Sequence, residues 1–203
     1  MISNPRSKAF GIKHTARGLA EKANVPIVPG TKGLVDSQED AVAEADKLGY
    51  PIMLKATGGG GGMGLVICNN ANEVNDGFKM VQSRGEQLFK NPGMFIERYY
   101  PASRHIEVQV FGNGQGNAIH FGERECSIQR RHQKVIEECP SPFVEKQSGL
   151  REKLGKAAVS LAESIKYGSA GTVEYLVDDK TGDFFFLEVR STVHSTCPSH
   201  SSS

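Results

Sequence analysis

No stretch of this chain reaches the roughly 18 consecutive apolar residues that a membrane-spanning helix requires. The N-terminal MISNPRSKAF has no hydrophobic region of signal-peptide type. An excess of one charge is also missing. With 24 Lys+Arg against 23 Asp+Glu, the formal net charge of +1 is too small for a bulk polyanion-binding surface. The 4 cysteines, Cys68, Cys126, Cys139 and Cys197, show no CxxC spacing and read as reduced cytosolic thiols. Two familiar phosphate loops are absent as well. A Walker loop needs Lys-Ser or Lys-Thr after its last glycine, and a Rossmann fingerprint opens into a helix. What is left is a soluble globular composition, 203 residues with 38% hydrophobic and 23% charged, enough for one or two domains in the cytoplasm.

The chain is organised around PIMLKATGGGGGMGLVIC, Pro51 to Cys68. An apolar run carries Lys55, breaks into five glycines, Gly58 to Gly62, and resumes at Gly64-Leu65-Val66-Ile67. The loop therefore joins two strand-like segments. Bare backbone N–H groups close over an anion, and a glycine run moves easily. A flexible hairpin tip is the bland alternative. A lysine on the preceding strand favours a phosphate-covering flap.

Around this stretch, residues 13–23 read as a helix ended by Asn24. Ser37 caps a second helix with Asp40 three residues on. Ala41, Val42, Ala45 and Leu48 form its apolar stripe, and Gly49 sits at its C-terminal cap. Asn70 and Glu73 cap a third, with Val74, Phe78 and Val81 at helical spacing. Met94 to Tyr100 opens a strand-rich half. Arg104 to Phe111 alternates, with Ile106, Val108 and Val110 on one face and His105, Glu107 and Gln109 on the other. Gly112-Asn113-Gly114 is a hairpin turn, and residues 117–123 return. A long polar segment covers residues 121–138. A helix over 145–167 buries Leu150, Leu154, Ala157, Ala158, Leu161 and Ile165. Strands at 171–178 and 183–189 end the pattern.

The last hairpin carries a sharper inference. A three-residue loop, Lys180-Thr181-Gly182, with Gly182 left-handed, sets Val173 against Val189, Tyr175 against Leu187 and Val177 against Phe185. The other face then holds Glu174 directly opposite Glu188. Carboxylates with Cβ atoms roughly 5 Å apart repel unless a cation lies between them. A hard divalent ion suits that place; a register slip of the hairpin, or a lysine or arginine partner, is the alternative. The polar segment, rich in Arg124, Gln129, Arg130, Arg131, His132 and Lys134, lacks stacking aromatics and interleaves acids. That pattern fits cations offered to a triphosphate and an anionic co-substrate better than a nucleic-acid patch.

LKATGGGGGMGL, ERYYPASRHIEVQVFG, GERECSIQRRHQKVIEECPSP and GTVEYLVDDKTGDFFFLE together resemble the biotin carboxylase component of biotin-dependent carboxylases, over about residues 8–189. Met63 in the glycine loop looks more like the urea carboxylase and urea amidolyase type. CSIQRRHQK disfavours carbamoyl phosphate synthase. The resemblance implies an α+β ATP-grasp fold. It divides the chain into a connector at 1–30, a lid subdomain at 31–100, a second half at 101–189 and a polar tail at 190–203. It implies an ATP-dependent ligase that makes carboxyphosphate from bicarbonate and carboxylates biotin, with magnesium (or manganese) as the metal. Its partners would be a biotin carboxyl carrier and a carboxyltransferase domain, within a homodimer.

Carried over residue by residue, the resemblance gives Lys13 and Lys55 to the ATP phosphates, with Gly61 and Gly62 closing over them. Glu97, Arg98, Tyr99 and Tyr100 match an adenine hinge, His105 a ribose contact, and Gln129 and His132 nucleotide positions. Lys134 matches the catalytic lysine facing bicarbonate and the γ-phosphate, and Glu174 and Glu188 match the metal ligands. Two departures are expected to matter. The family's Rossmann-like subdomain has no counterpart before the lid. After Glu188-Val189, where the family continues with an asparagine and an arginine, this chain reads Arg190-Ser191-Thr192 and a polar tail, as a frameshift or unspliced intron would produce. Arg190 shares a strand face with Glu188 and is positioned to compete with a cation. The chain alone is therefore expected to hold Mg-ATP weakly without carboxylating biotin. A non-catalytic nucleotide-binding module is the rival reading, and the biotin carboxylase of an acyl-CoA or pyruvate carboxylase is another.

Overall fold

The computed structural model describes residues 13–57, 64–131 and 133–191. They fall into two compact units, one spanning Val28–Ala102 and one combining the chain before Val28 with that after Ala102.

The smaller unit is a three-stranded antiparallel sheet with two helices. Strand β1 (Ile52–Ala56) alternates buried and half-buried residues and pairs antiparallel with β2 (Leu65–Cys68), so that Ile52 faces Cys68 and Lys55 faces Leu65. On the other edge of β1 lies β3 (Met94–Arg98), with Ile96 opposite Leu54 and Met94 opposite Ala56. This corrects the grouping of Met94 to Tyr100 with the strands that follow it. The apolar side chains of β3 complete the face that β1 buries, and sequence distance hides that pairing. Helix α1 (Lys13–Lys22) belongs to the larger unit and ends where Asn24 turns left-handed. In the smaller unit, α2 (Gln38–Leu48) starts where Ser37 Oγ accepts from Asp40 N at 3.1 Å and stops at Gly49, φ 78°. Helix α3 (Ala71–Phe89) starts where Asn70 Oδ1 accepts from Glu73 N at 3.0 Å, and the Glu73 carboxylate in turn accepts from Asn69 N. Such caps satisfy backbone donors that the first turn leaves without partners. Ala41, Ala45, Val74, Phe78 and Val81 then seal the sheet face formed by Ile52, Leu54, Met94 and Ile96. Each large side chain buried there contributes about 1.5–3 kcal/mol.

The larger unit is a five-stranded antiparallel sheet in the order β6-β5-β4-β7-β8. Its strands are β4 (Ser103–Gly112), β5 (Ala118–Arg130), β6 (Gln133–Glu138), β7 (Ala170–Asp178) and β8 (Phe184–Ser191). The alternation read in β4 is what the fold uses: Ile106, Val108 and Val110 are buried against Leu150, Leu154, Ala158 and Leu161 of α5 (Leu150–Ser164), leaving the His105 and Glu107 face for the site. The fold class is α+β.

Three expectations shift. The polar segment 121–138, where the sequence suggests no strand beyond residue 123, is the β5–β6 hairpin, turning at Arg131, φ 51°. Its alternation was disguised because the buried face there carries carboxylates: Glu123 is held by Arg151 Nη2 at 3.0 Å, and Glu125 by Arg104 and Ser141. The helix expected over 145–167 is split into a short α4 (Pro142–Glu145), capped by Ser141, and α5, because Gly149 is left-handed at φ 72°. The turn after β4 runs over residues 113–117, tied by Asn113 Oδ1 accepting from Gln115 N and Asn117 N.

The final hairpin agrees with expectation at its open end and departs near its turn. Val173 faces Val189 and Glu174 faces Glu188, but Tyr175 faces Phe186 and Val177 faces Phe184. Asp178 N donates to Asp183 O, so the loop has one residue more than the three expected, although Gly182 is left-handed at φ 74°. The shift is absorbed as a bulge at Leu187, beside the carboxylate pair.

Candidate functional site

Register across the larger sheet lines up four residues on one face: Arg124 of β5, Glu107 of β4, Glu174 of β7 and Glu188 of β8 are successive Cα partners. Three neighbouring carboxylates would repel strongly, and the fold supplies cations to each. The Arg124 guanidinium grips Glu107 Oε1, from Nη2 at 2.5 Å and Nε at 2.6 Å. The Lys134 ammonium, reaching over from β6, donates to Glu107 Oε2 and to Glu174 Oε1 at 3.0 Å. Arg190 Nε lies 3.2 Å from Glu174 Oε1 and 3.0 Å from Glu188 Oε1, with its Nη2 at 2.8 Å from the latter.

Glu174 is the buried centre of this row, with 1% of its surface exposed. Burial alone would push its carboxyl up; the nearby His105 and the hydrogen-bonded Lys134 ammonium outweigh that and hold it down at about 2. Lys134 shows the converse: burial would lower it, and Glu107 and Glu174 raise it. His105 Nε2 lies 2.9 Å from Glu174 Oε2. The Gln129 amide nitrogen donates to Cys126 O at 2.8 Å and sits 3.2 Å from His105 Nδ1. An amide nitrogen only donates, so Nδ1 is assigned as the acceptor of that contact, while Nε2 lies near Glu174 Oε2 without hydrogen-bond geometry. Beside this pair, Ser127, Leu176 and Leu187 line a shallow hollow with His105 and Gln129. Its mixed walls suit a flat group with a polar edge.

Of the residues singled out from sequence, His105, Gln129, Lys134, Glu174 and Glu188 share this face. Lys55 and Glu97 belong to the smaller unit, where the Lys55 ammonium and the Glu97 carboxylate are bonded to each other. Arg98 lies over the Tyr100 ring at 5.8 Å, and Tyr99 N donates to Pro51 O. Gly61, Gly62, His132 and the side chain of Lys13 lie outside the described residues. Sequence reasoning missed Glu107 and Arg124 as members of the row. The alternation of β4 puts Glu107 on the His105 face, but its alignment with Glu174 comes from the non-local β4–β7 pairing.

The donor set can be tested against a divalent ion. Glu174 and Glu188 face each other as expected for two ligands, yet the guanidinium of Arg190 stands on both. The residues present therefore do not fit the ion in this arrangement. A second convergence, of Glu107, Cys126 and Glu137, places ligand atoms within 4.8 Å of one another. There too Glu107 is held by Arg124 and Lys134, and burial pushes the Cys126 thiol up to about 12, away from the thiolate a metal needs.

The fold thus offers a sheet with a row of fixed charges on one face and a helix-packed core on the other, and a second unit of three strands and two helices. The chain belongs to the family of the carbamoyl-phosphate synthase L chain ATP binding domain, whose model matches residues 13–201. Among curated proteins it is 71% identical over 184 residues to "Putative urea carboxylase" of Emericella nidulans, spanning 91% of this chain and 15% of that protein. It is 43% identical over 189 residues to Biotin carboxylase 1 of Bacillus subtilis, spanning 93% of this chain and 42% of that protein. Among solved structures, the biotin carboxylase complex with β,γ-ATP from Campylobacter jejuni matches with a TM-score of 0.80 at 39% identity, over 93% of this chain and 42% of that one. The biotin carboxylase domain dimer of the Hydrogenobacter thermophilus 2-oxoglutarate carboxylase, with MgADP, ADP and bicarbonate, matches with a TM-score of 0.79 at 37% identity, over 93% and 41%. The chain thus spans well under half the length of each of these relatives. The family is that of the ATP-grasp biotin carboxylases, as the four motifs implied.

Proposed function

We propose that this chain carries the nucleotide-holding and bicarbonate-activating part of a biotin carboxylase of the urea carboxylase type. The observation that supports it most is the row Arg124–Glu107–Glu174–Glu188 with Lys134 bridging its middle pair. In the proposed reaction a bicarbonate oxygen attacks the γ-phosphorus of ATP, the bond to the bridging oxygen breaks, and ADP leaves. The C–O bond of the resulting carboxyphosphate then breaks, and inorganic phosphate leaves and takes the ureido N–H proton of biotin on a carrier domain. The freed nitrogen takes the carboxyl group, and a carboxyltransferase domain passes it to urea. Phosphoryl transfer depends mostly on positioning and charge neutralisation. Lys134 is suited to that task as the catalytic residue: two carboxylates hold its ammonium in place before either anion arrives.

His105 and Gln129 are assigned to the ribose, Lys55 with Gly61 and Gly62 to the phosphates, and Glu97 to Tyr100 to the adenine. Lys13 and His132 complete the nucleotide set. The wider reading includes a homodimer and a cytoplasmic location. No helix among the described residues is long and apolar enough to cross a membrane, and Cys68, Cys126 and Cys139 are free.

One observation favours a second reading, a nucleotide-binding module without turnover: Arg190 bonded to the carboxylate pair. Calorimetry with ATP and a bicarbonate-dependent ATPase assay with free biotin separate the two. Lys55→Ala is expected to weaken ATP binding more than Lys134→Ala, because Lys134 serves the bicarbonate end. Equal affinities of the two variants would remove that division of roles, and turnover by the 203-residue chain above the biotin-free background would exclude the inactive module.

A further inference from the structure

We propose that Arg190 turns the Glu174–Glu188 pair into a guanidinium site and keeps divalent cations off it. The backbone dictates the placement. Arg190 lies two residues beyond Glu188 on β8, opposite Thr172, and alternate strand residues share a face. Its side chain therefore returns along the same surface, and its Nε and Nη2 reach Glu174 Oε1 and Glu188 Oε1 at 2.8–3.2 Å.

Three arguments set this contact against an ion. The facing oxygens are already occupied by cations: Glu174 Oε1 accepts from Lys134 and lies 3.2 Å from Arg190 Nε, Glu188 Oε1 accepts from Arg190, and Glu174 Oε2 lies 2.9 Å from His105 Nε2. A magnesium-sized ion needs about six oxygen ligands at about 2.0–2.1 Å, which oxygens already committed to N–H donors do not supply. The charge is balanced as well. Glu107, Glu174 and Glu188 are matched by Arg124, Lys134 and Arg190, with Glu137 3.9 Å from Arg124 Nε, so the pull on a dication at the Glu174–Glu188 pair is weakened. A guanidinium also cannot deprotonate within reach of any working pH, so raising the pH does not release the pair. With 61% of its side chain exposed, Arg190 carries no packing load, and removing its charge leaves the sheet core intact.

The inference stands apart from the nucleotide reading, because the ion is tested alone. Manganese(II) is titrated into the wild-type chain, Arg190→Gln, Arg190→Ala and the double variant Arg190→Gln/Glu188→Gln at low ionic strength, with free ion followed by electron paramagnetic resonance. Far-UV circular dichroism and thermal melts verify the fold of each. Both single variants are expected to bind one manganese at least tenfold more tightly than wild type, and the double variant is expected to lose that gain. A gain smaller than tenfold, or one that survives Glu188→Gln, overturns the proposal.

Discussion

Replacing Lys134 by methionine takes one cation from between two buried carboxylates, Glu107 at 3% exposure and Glu174 at 1%, while nearly conserving the length of the side chain. Removing one partner of a buried pair costs about 3–5 kcal/mol when the charge left behind is uncompensated. Compensation here is partial, since Arg124 stays on Glu107 and His105 and Arg190 stay on Glu174. The expected loss is therefore at the lower end, about 3 kcal/mol at neutral pH. Its pH dependence follows from Glu174, whose carboxyl is pushed up by burial but held down to about 2 by His105 and Lys134. A carboxyl depressed in the folded state contributes stability that is complete above its unfolded value and is lost as pH falls through the folded one. The fall from the ordinary 4.5 to about 2 corresponds to on the order of 3 kcal/mol, shared between the two partners and lost between those pH values. Urea unfolding followed by far-UV circular dichroism at pH 7, 5 and 3 reads this directly. The deficit of Lys134→Met should be about the same at pH 7 and pH 5 and smaller at pH 3 by roughly 0.5–1 kcal/mol, Lys134's share of that pH-dependent part. A deficit below about 1 kcal/mol at pH 7, or one unchanged at pH 3, would refute the reasoning.

Two further outcomes are expected. A methyl group at Gly112 would meet the Tyr167 carbonyl oxygen at 2.1 Å, backbone against backbone, so Gly112→Ala should destabilise by about 3 kcal/mol in the same unfolding assay. The Tyr175 hydroxyl is buried without a hydrogen-bond partner among the described residues, and burial pushes its pKa far up. Tyr175→Phe should therefore raise stability by about 1 kcal/mol, and a loss of that size would mean the hydroxyl is satisfied after all.

Local chemistry was readable from the residues alone. Ser37 with Asp40 and Asn70 with Glu73 announced two helix starts, because a capping side chain and the N–H it satisfies lie within three positions of each other. The alternation of β4 assigned His105 and Glu107 to one face, since a strand offers only two. The pairing of Glu174 with Glu188 follows from a loop counted one residue too short and holds because the bulge at Leu187 restores the register that the longer loop shifts; Arg190 follows from the same count. The loop's extra residue was invisible there, and with it the bulge at Leu187. Tertiary structure decided everything that depends on strands meeting across long sequence distances. It paired β3 with β1, because Ile96 and Met94 complete the face that Leu54 and Ala56 bury. It ran β4 beside β7, which set Glu107 next to Glu174 and so created a row of three carboxylates. It folded β6 back over that row, which gave Lys134 two buried partners. Periodicity assigns a residue to a face; only non-local hydrogen bonding decides which neighbour shares it, and here that neighbour sets the charge, and hence the chemistry, of each carboxylate.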